Sequence, residues 1–149
     1  MFAIDIDLTI LQPDNPALYV PNARKYLRVY RKIEKEYPKL DVTIPFMYSF
    51  LVPQHLVDDG IYSLLKQFEG IKKIAFTATL TGKFFGGQRL EQLRYEQLKE
   101  KGLCFEDSFL EQDFVLEECP EYRSNRPAYY KGVLCSNSEC GTTTKGTVL

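Results

Sequence analysis

The feature that most constrains the fold is a short apolar run near residue 1 that carries an aspartate and leads into a second one. The run is Phe-Ala-Ile-Asp-Ile at 2–6, and Asp7, Leu8 and Thr9 follow it directly. Hydrophobic residues in an unbroken row are typical of a strand that is buried on both faces of a parallel sheet. We therefore predict a strand at 2–6 with Asp5 and Asp7 at its carboxyl end, where open α/β sheets bind their ligands.

Helix-like and strand-like patterns alternate along the rest of the chain. Apolar residues at helical spacing predict helices over 23–37, with Asn22 as the N-cap, over about 56–69, and over 90–101 before Gly102. Strands are predicted at 71–79, 113–117 and 129–135, the last two paired around the polar segment between them. This order indicates an α/β fold in which helices cover a mainly parallel sheet.

About fifty residues separate the first strand from the second helix, which is more than a single crossover connection needs. We therefore predict an inserted element at about 12–54. It contains a proline-rich loop, the first helix, and an apolar segment at 41–53 whose residues Pro45 and Pro53 argue against a central strand.

Composition excludes several classes of protein. The 149 residues are enough for about one domain, and 19 Lys and Arg against 20 Asp and Glu give a net charge of −1. A general binder of polyanions needs a concentrated basic face, so we expect no nucleic-acid partner. No run approaches the ~18 apolar residues of a membrane span, and nothing near Met1 resembles a signal peptide. We therefore expect a cytoplasmic protein with no membrane partner.

Four cysteines lie in the last third of the chain: Cys104, Cys119, Cys135 and Cys140. An even number permits disulfides, but without a secretion signal a reducing compartment and free thiols are favoured. Cys135 and Cys140 have a spacing that zinc sites use, yet no second pair of ligands follows and the only histidine, His55, is distant. We expect buried or surface thiols in preference to zinc.

Asp5 and Asp7 are the residues best suited to carry chemistry. Carboxylates two positions apart repel each other, so folding them together requires a cation or a proton. Mg²⁺ suits such a pair because it takes carboxylate, carbonyl, water and phosphate oxygens. One carboxylate could then attack phosphorus while the other acts as acid and base. The alternative is an aspartate at a strand end and another in the following turn.

Two further residues complete the pattern. Thr77 lies in Phe76-Thr77-Ala78, near the end of the strand predicted at 71–79, and its hydroxyl could donate a hydrogen bond to a phosphate oxygen, although threonine is also simply common in strands. Lys145 follows Cys-Gly-Thr-Thr-Thr and opens a possible helix. Its ammonium could neutralise a phosphate and the aspartate pair. The alternative for Lys145 is an ordinary surface lysine.

In this order the motifs resemble those of the haloacid dehalogenase-like superfamily of aspartate-nucleophile phosphohydrolases, and are most similar to an uncharacterised bacterial branch. The hydrophobic strand followed by Asp-x-Asp-x-Thr is matched from Phe2 to Thr9, and the strand ending in Ser or Thr is matched by Thr77. The lysine that opens a helix is best matched by Lys145. Lys131 is the competing match, but it lies inside a predicted strand.

The resemblance implies a Rossmann-like three-layer fold with Mg²⁺ as cofactor and a small phosphorylated substrate. Asp5 would be the nucleophile and a metal ligand, and Asp7 the general acid and base, with its backbone carbonyl on the metal. Thr77 and Lys145 would bind the phosphoryl group. The insertion would be a cap that closes over the site. Aromatic residues of the insertion become candidate substrate contacts, or else pack its own small core: Tyr19, Tyr26, Tyr30, Phe46, Tyr48 and Phe50.

One departure from the family pattern concerns the fourth motif, a strand that ends in acidic residues after the lysine helix. The sequence reaches only Leu149, and Asp107, Glu111 and Asp113 precede Lys145. We therefore expect a domain that is incomplete at its C-terminus, with a weak metal site. Two alternative functions follow: a non-catalytic fragment of the superfamily that acts as a binding module, or an unrelated small α/β binding module.

Overall fold

The computed structural model of the protein describes residues 2–16, 20–37, 52–83, 87–106, 112–122, 124–138 and 143–148. The chain divides into two compact units. The smaller is Gln12–His55, and the larger comprises Met1–Leu11 and Leu56–Leu149. The smaller unit therefore has nearly the bounds predicted for the insertion. Within the described ranges, no helix combines the length and apolar character needed to cross a membrane.

The described elements are, in chain order, β1 (Phe2–Asp5), β2 (Leu11–Pro13), α1 (Val20–Glu36), β3 (Gln54–Leu56), α2 (Ile61–Gln67), β4 (Lys73–Thr77), α3 (Leu90–Glu100), β5 (Phe114–Val115), β6 (Ala128–Tyr130), β7 (Val133–Cys135) and α4 (Lys145–Val148). Five strands form one sheet in the order β1-β4-β7-β6-β5. The pairs β1–β4 and β4–β7 are parallel, and β6 is antiparallel to both β7 and β5. Four strands therefore run in the same direction, and the predicted α/β fold with a mainly parallel sheet is confirmed.

Both faces of the sheet bury apolar side chains, as expected for an unbroken hydrophobic strand such as β4. Ala75 packs in a cluster with Ile4, Leu98 and Val133. Its neighbours on β4 point the other way because successive side chains alternate along a strand. Phe76 accordingly belongs to a second cluster, with Ile74, Tyr129, Leu134 and Val148. The two clusters fix β4 between β1 and β7 and so determine where its carboxyl end lies.

The observed bounds of two helices agree to different degrees with the bounds predicted from the sequence. Helix α3 begins at Leu90 and ends at Glu100, just before Gly102, as the sequence predicts. Helix α2 begins only at Ile61, so the prediction of about 56–69 is too long at its start. The reason is a turn in which the Asp58 carboxylate accepts a hydrogen bond from the Gly60 N–H at 2.6 Å. Such a side-chain bond to the backbone competes with helix formation.

The prediction that Asn22 caps the first helix is wrong. Helix α1 begins at Val20, so Asn22 lies within its first turn. The Asn22 side chain donates a hydrogen bond to the Pro16 carbonyl at 2.6 Å instead of capping the helix. Pro21 is tolerated in this turn because the first N–H groups of a helix have no intrahelical acceptor.

The prediction of a single strand over 129–135 is also wrong. Residues Ala128–Tyr130 and Val133–Cys135 are two antiparallel strands joined by a turn at Lys131 and Gly132. Both turn residues have positive φ angles, 45° and 86°. A β-carbon on Gly132 would lie 2.2 Å from the Phe105 carbonyl oxygen, so only glycine fits there. Lys131 therefore lies in a turn and not inside a strand.

The smaller unit contains helix α1 and two chain segments that lie side by side, one at Asp14 and the other at His55. The Asp14 N–H donates to the Pro53 carbonyl at 2.9 Å, and the His55 ring lies between Gln12 and Asp14. Strand β3 was not predicted from the sequence, since three residues next to a proline carry too weak a pattern. The candidate contacts Tyr19, Phe46, Tyr48 and Phe50 lie outside the described residues, and the side chains of Tyr26 and Tyr30 are not described.

Candidate functional site

The loop after β1 holds Asp7 in a fixed place. The Ile6 N–H donates to the Phe76 carbonyl at 2.9 Å, which extends the pairing of β1 with β4 by one residue. The Ile6 carbonyl in turn accepts hydrogen bonds from the N–H groups of Ile10 and Leu11, both at 2.9 Å. The chain therefore turns back immediately after Asp7. Ile6 is buried, so it anchors the backbone between the two aspartates in the core.

Thr77, the last residue of β4, contacts Asp7. Its hydroxyl donates to Asp7 Oδ2 at 2.5 Å, and its Oγ1 accepts the Thr79 N–H at 3.0 Å. Thr77 and Thr79 are both fully buried. The parallel pairing of β1 and β4 brings these residues together across 70 positions of sequence. The hydroxyl that the sequence assigns to phosphate binding is therefore directed at the Asp7 carboxylate.

Lys145 reaches the other aspartate. It is the first residue of α4, and its Nζ lies 2.5 Å from Asp5 Oδ1. The Nζ also lies 5.4 Å from the centre of the Phe76 ring. The alternative lysine, Lys131, is placed elsewhere, with its Nζ 5.1 Å from the centre of the Tyr95 ring. Of the two lysines considered from the sequence, Lys145 is the one that pairs with Asp5.

A fifth residue, Arg94 on α3, was not identified from the sequence. Its guanidinium forms an ion pair with Asp7 Oδ1, and its Nη1 donates to Gln97 Oε1 at 2.8 Å. One sequence signal could have revealed it, because Arg94 is spaced four residues from both Leu90 and Leu98 on the buried face of α3. An arginine on an apolar helix face requires an acidic or hydrogen-bonding partner inside the fold.

The site contains two carboxylates and two cations in separate pairs. Asp5 pairs with Lys145, and Asp7 pairs with Arg94, so the formal charges of the four side chains cancel. The Asp5 pair is partly exposed, since the side chains of Asp5 and Lys145 are 43% and 36% accessible. The Asp7 pair is much more enclosed, at 27% for Asp7 and 2% for Arg94. The carboxylate open to a ligand is therefore Asp5.

A divalent cation at this site would have few protein ligands, so water would complete most of its coordination. Among the described residues, no group of three or more His, Cys, Asp or Glu side chains is placed to hold a metal ion. The Asp7 carboxylate is engaged by Thr77 and Arg94, and Asp5 Oδ1 is paired with Lys145, which leaves the other Asp5 oxygen as the open side-chain ligand of the pair. Mg²⁺ often binds proteins in this manner, through one or two carboxylates with water and substrate phosphate. The described side chains therefore form no metal site of their own, and an ion here would depend on water and on substrate phosphate.

No family model, curated protein or solved structure matches this chain. The functional argument therefore depends on the arrangement of Asp5, Asp7, Thr77, Lys145 and Arg94.

The other acidic, histidine and cysteine residues considered as ligands in the sequence analysis either have different contacts or lie outside the described residues. Asp107, Glu111 and Cys140 lie outside the described residues, and the Asp113 carboxylate accepts a hydrogen bond from the Lys131 N–H at 2.8 Å. His55 pairs with Asp14 at 2.5 Å. Cys104 is an exposed free thiol and Cys119 a buried one, and Cys135 is buried.

Proposed function

We propose that this chain is a phosphohydrolase domain of the haloacid dehalogenase-like kind, with Asp5 as nucleophile and Mg²⁺ as cofactor. The proposal includes a Rossmann-like three-layer fold, a cap formed by the insertion at about 12–54, and a small phosphorylated substrate in the cytoplasm. The observation that carries it is the convergence of Lys145 on Asp5. Two residues 140 positions apart meet where the family resemblance requires a nucleophile and a phosphate-binding lysine.

The chemistry follows from the exposure of Asp5. An Oδ atom of Asp5 attacks phosphorus while Asp7 donates a proton to the leaving oxygen, so that the bond from phosphorus to that oxygen breaks and the phosphoryl group is transferred to the Asp5 carboxylate. Water then attacks phosphorus while Asp7 accepts its proton, which releases phosphate and restores Asp5. Lys145 moves from the carboxylate to the phosphoryl oxygens and stabilises their charge. Bound Mg²⁺, held by the Asp5 carboxylate and the Asp7 carbonyl, would supply further neutralisation of those oxygens.

The test is hydrolysis of p-nitrophenyl phosphate by the full chain with MgCl₂. We expect activity that EDTA abolishes and that Asp5→Asn removes, because the amide is not a nucleophile. Asp113→Asn is the matched control, since it makes the same chemical change at a carboxylate that binds the Lys131 backbone. Equal activity in Asp5→Asn and the parent would exclude Asp5 as nucleophile.

A second candidate function is a phosphate-binding module without turnover. It is favoured by the pairing of both carboxylates with cations of the chain and by the small number of metal ligands. Such a module would bind Mg²⁺ together with a fluoride mimic of the phosphoryl group but would release no p-nitrophenol. An unrelated α/β module would bind neither probe.

A further inference from the structure

We propose that Thr79 is a positioning residue that fixes the Thr77 hydroxyl on Asp7. Thr77 then holds the general acid and base of the reaction in place and does not bind phosphate. The inference rests on the proposed function, because it concerns the side chain that moves the proton in that reaction. It differs from the role that the family resemblance implies for Thr77, which is to bind the phosphoryl group.

The hydrogen-bonding capacity of the Thr77 hydroxyl is used within the protein. A hydroxyl has one proton to donate and two lone pairs that accept. The Thr77 proton goes to Asp7 Oδ2 at 2.5 Å, because a carboxylate that is paired with Arg94 can only accept. One lone pair accepts the Thr79 N–H at 3.0 Å. The Thr79 hydroxyl lies 2.7 Å away and must be the donor in that contact, since Thr77 has already given its proton.

Burial makes this arrangement costly to exchange for a bond to phosphate. The side chains of Thr77 and Thr79 are both fully buried, and the Thr79 carbonyl accepts the Asn137 N–H at 3.2 Å. A Thr77 hydroxyl that turned towards a phosphate would leave buried polar groups without their partners, which is unfavourable. Lys145 differs, because its side chain is 36% accessible and can meet a phosphoryl group.

The order of the donors gives Thr79 its role. Its hydroxyl donates to the Thr77 hydroxyl, which donates to the Asp7 carboxylate, and each bond in such a chain strengthens the next by polarisation. Thr79 therefore helps Thr77 to orient Asp7 without meeting the substrate itself. Its loss should slow the steps in which Asp7 moves a proton and leave the binding of phosphate unchanged.

The experiment measures kcat for p-nitrophenyl phosphate and the inhibition constant of orthophosphate, both on the full chain. Thr79→Val removes the hydroxyl and keeps the shape, so kcat should fall about tenfold, the usual effect of losing one hydrogen bond near a charge. Inhibition by orthophosphate should stay as in the parent. Thr79→Ser returns the hydroxyl and should restore kcat. Thr81→Val is the matched control, because that buried hydroxyl donates to the Arg126 carbonyl at 2.6 Å, and it should keep the kcat of the parent.

Variants of Thr77 test whether Thr79 acts through it. Thr77→Val should lower kcat by at least as much as Thr79→Val, again with unchanged inhibition by orthophosphate. Lys145→Met is the contrasting variant and should weaken that inhibition about tenfold, because it removes a cation that meets the phosphate. The double variant Thr77→Val with Thr79→Val should be no slower than Thr77→Val alone, since residues that act as one network are not additive. It also serves if Thr79→Val alone does not fold, because it removes both hydroxyls of the pair together.

The outcomes distinguish this inference from the function on which it rests. Inhibition by orthophosphate that weakens about tenfold in Thr77→Val would show that Thr77 binds phosphate, which overturns the inference and leaves the phosphohydrolase intact. Full activity of Thr79→Val has the same consequence, as does a Thr79→Ser variant as slow as Thr79→Val or a double variant slower than Thr77→Val. A parent chain that hydrolyses no aryl phosphate overturns both the inference and the proposed function.

Discussion

Lys145 Nζ lies 2.5 Å from Asp5 Oδ1, although the two residues are 140 positions apart in the chain. The contact joins the first residue of α4 to the last residue of β1. Val148, one turn later, packs in the cluster that contains Phe76 of β4. A four-residue helix has almost no stability of its own, so these tertiary contacts determine the position of Lys145.

Lys145→Met should lower hydrolysis of aryl phosphate on the order of 10²-fold, because a cation that stabilises developing charge is removed. Stability should change by less than about 1 kcal/mol, since both partners of the ion pair are substantially exposed. Steady-state kinetics and urea unfolding measure the two effects. Lys131→Met is the matched control, and an equal loss of activity there would contradict the assignment of Lys145.

Asp7→Asn should destabilise the fold as well as slow the reaction. It leaves the buried guanidinium of Arg94 without its carboxylate, which should cost about 3 kcal/mol of unfolding free energy. Turnover should fall by ~10²–10⁴-fold, the usual contribution of general acid–base catalysis. Urea unfolding tests the first effect, with Arg94→Met added in a double variant to restore part of the stability. A loss below about 1 kcal/mol would show that the ion pair is not enclosed as described.

Gly132→Ala should be strongly destabilising, by about 3–4 kcal/mol, because it combines a left-handed backbone with a clash. The new β-carbon would lie 2.2 Å from the Phe105 carbonyl oxygen, and backbone atoms cannot move aside as a side chain can. Gly70→Ala is the matched control. Its φ is also positive, at 78°, but no atom lies within 4 Å of the added carbon, so we expect only about 1–2 kcal/mol. Equal losses in the two variants would contradict the close approach of Phe105.

The described cysteines should differ in reactivity towards iodoacetamide. Cys104 is exposed and should be alkylated rapidly, whereas burial raises the pKa of the Cys119 thiol above its ordinary value of 9.0 and shields it. Because the thiolate is the nucleophile, a raised pKa leaves less of it at pH 8. Mass spectrometry of the alkylated peptides over time measures both rates.

The raised pKa of the Cys119 thiol also predicts that the stability of the protein depends on pH. Unfolding lowers the pKa of Cys119 towards 9.0, so the unfolded state loses its proton first as the pH rises. The contribution of this thiol to stability is therefore complete below that value and decreases above it. Cys119→Ser should reduce the fall in unfolding free energy between pH 8 and pH 10, and an unchanged slope would contradict a buried thiol.

The local sequence determined the elements whose pattern is strong and continuous. The strands predicted at 2–6 and 71–79 lie near the observed Phe2–Asp5 and Lys73–Thr77, and the helix predicted to open at Lys145 begins there. The predictions of element bounds were wrong where the local sequence pattern is weak or where a side chain competes with the backbone hydrogen bonds. The turn at Lys131 and Gly132 interrupts an apolar run that resembles one strand, and the side chain of Asp58 delays the start of α2.

The sequence by itself placed Asp5, Asp7, Thr77 and Lys145 at the ends of their elements, because hydrophobic periodicity decides where strands and helices stop. Only the tertiary structure decided which of these residues meet. The parallel pairing of β1 with β4 sets Thr77 against Asp7, and the packing of α3 brings Arg94 to the same carboxylate. Periodicity along the chain carries no information on such a pairing, since the partner that stabilises a buried arginine can lie at any distance in sequence.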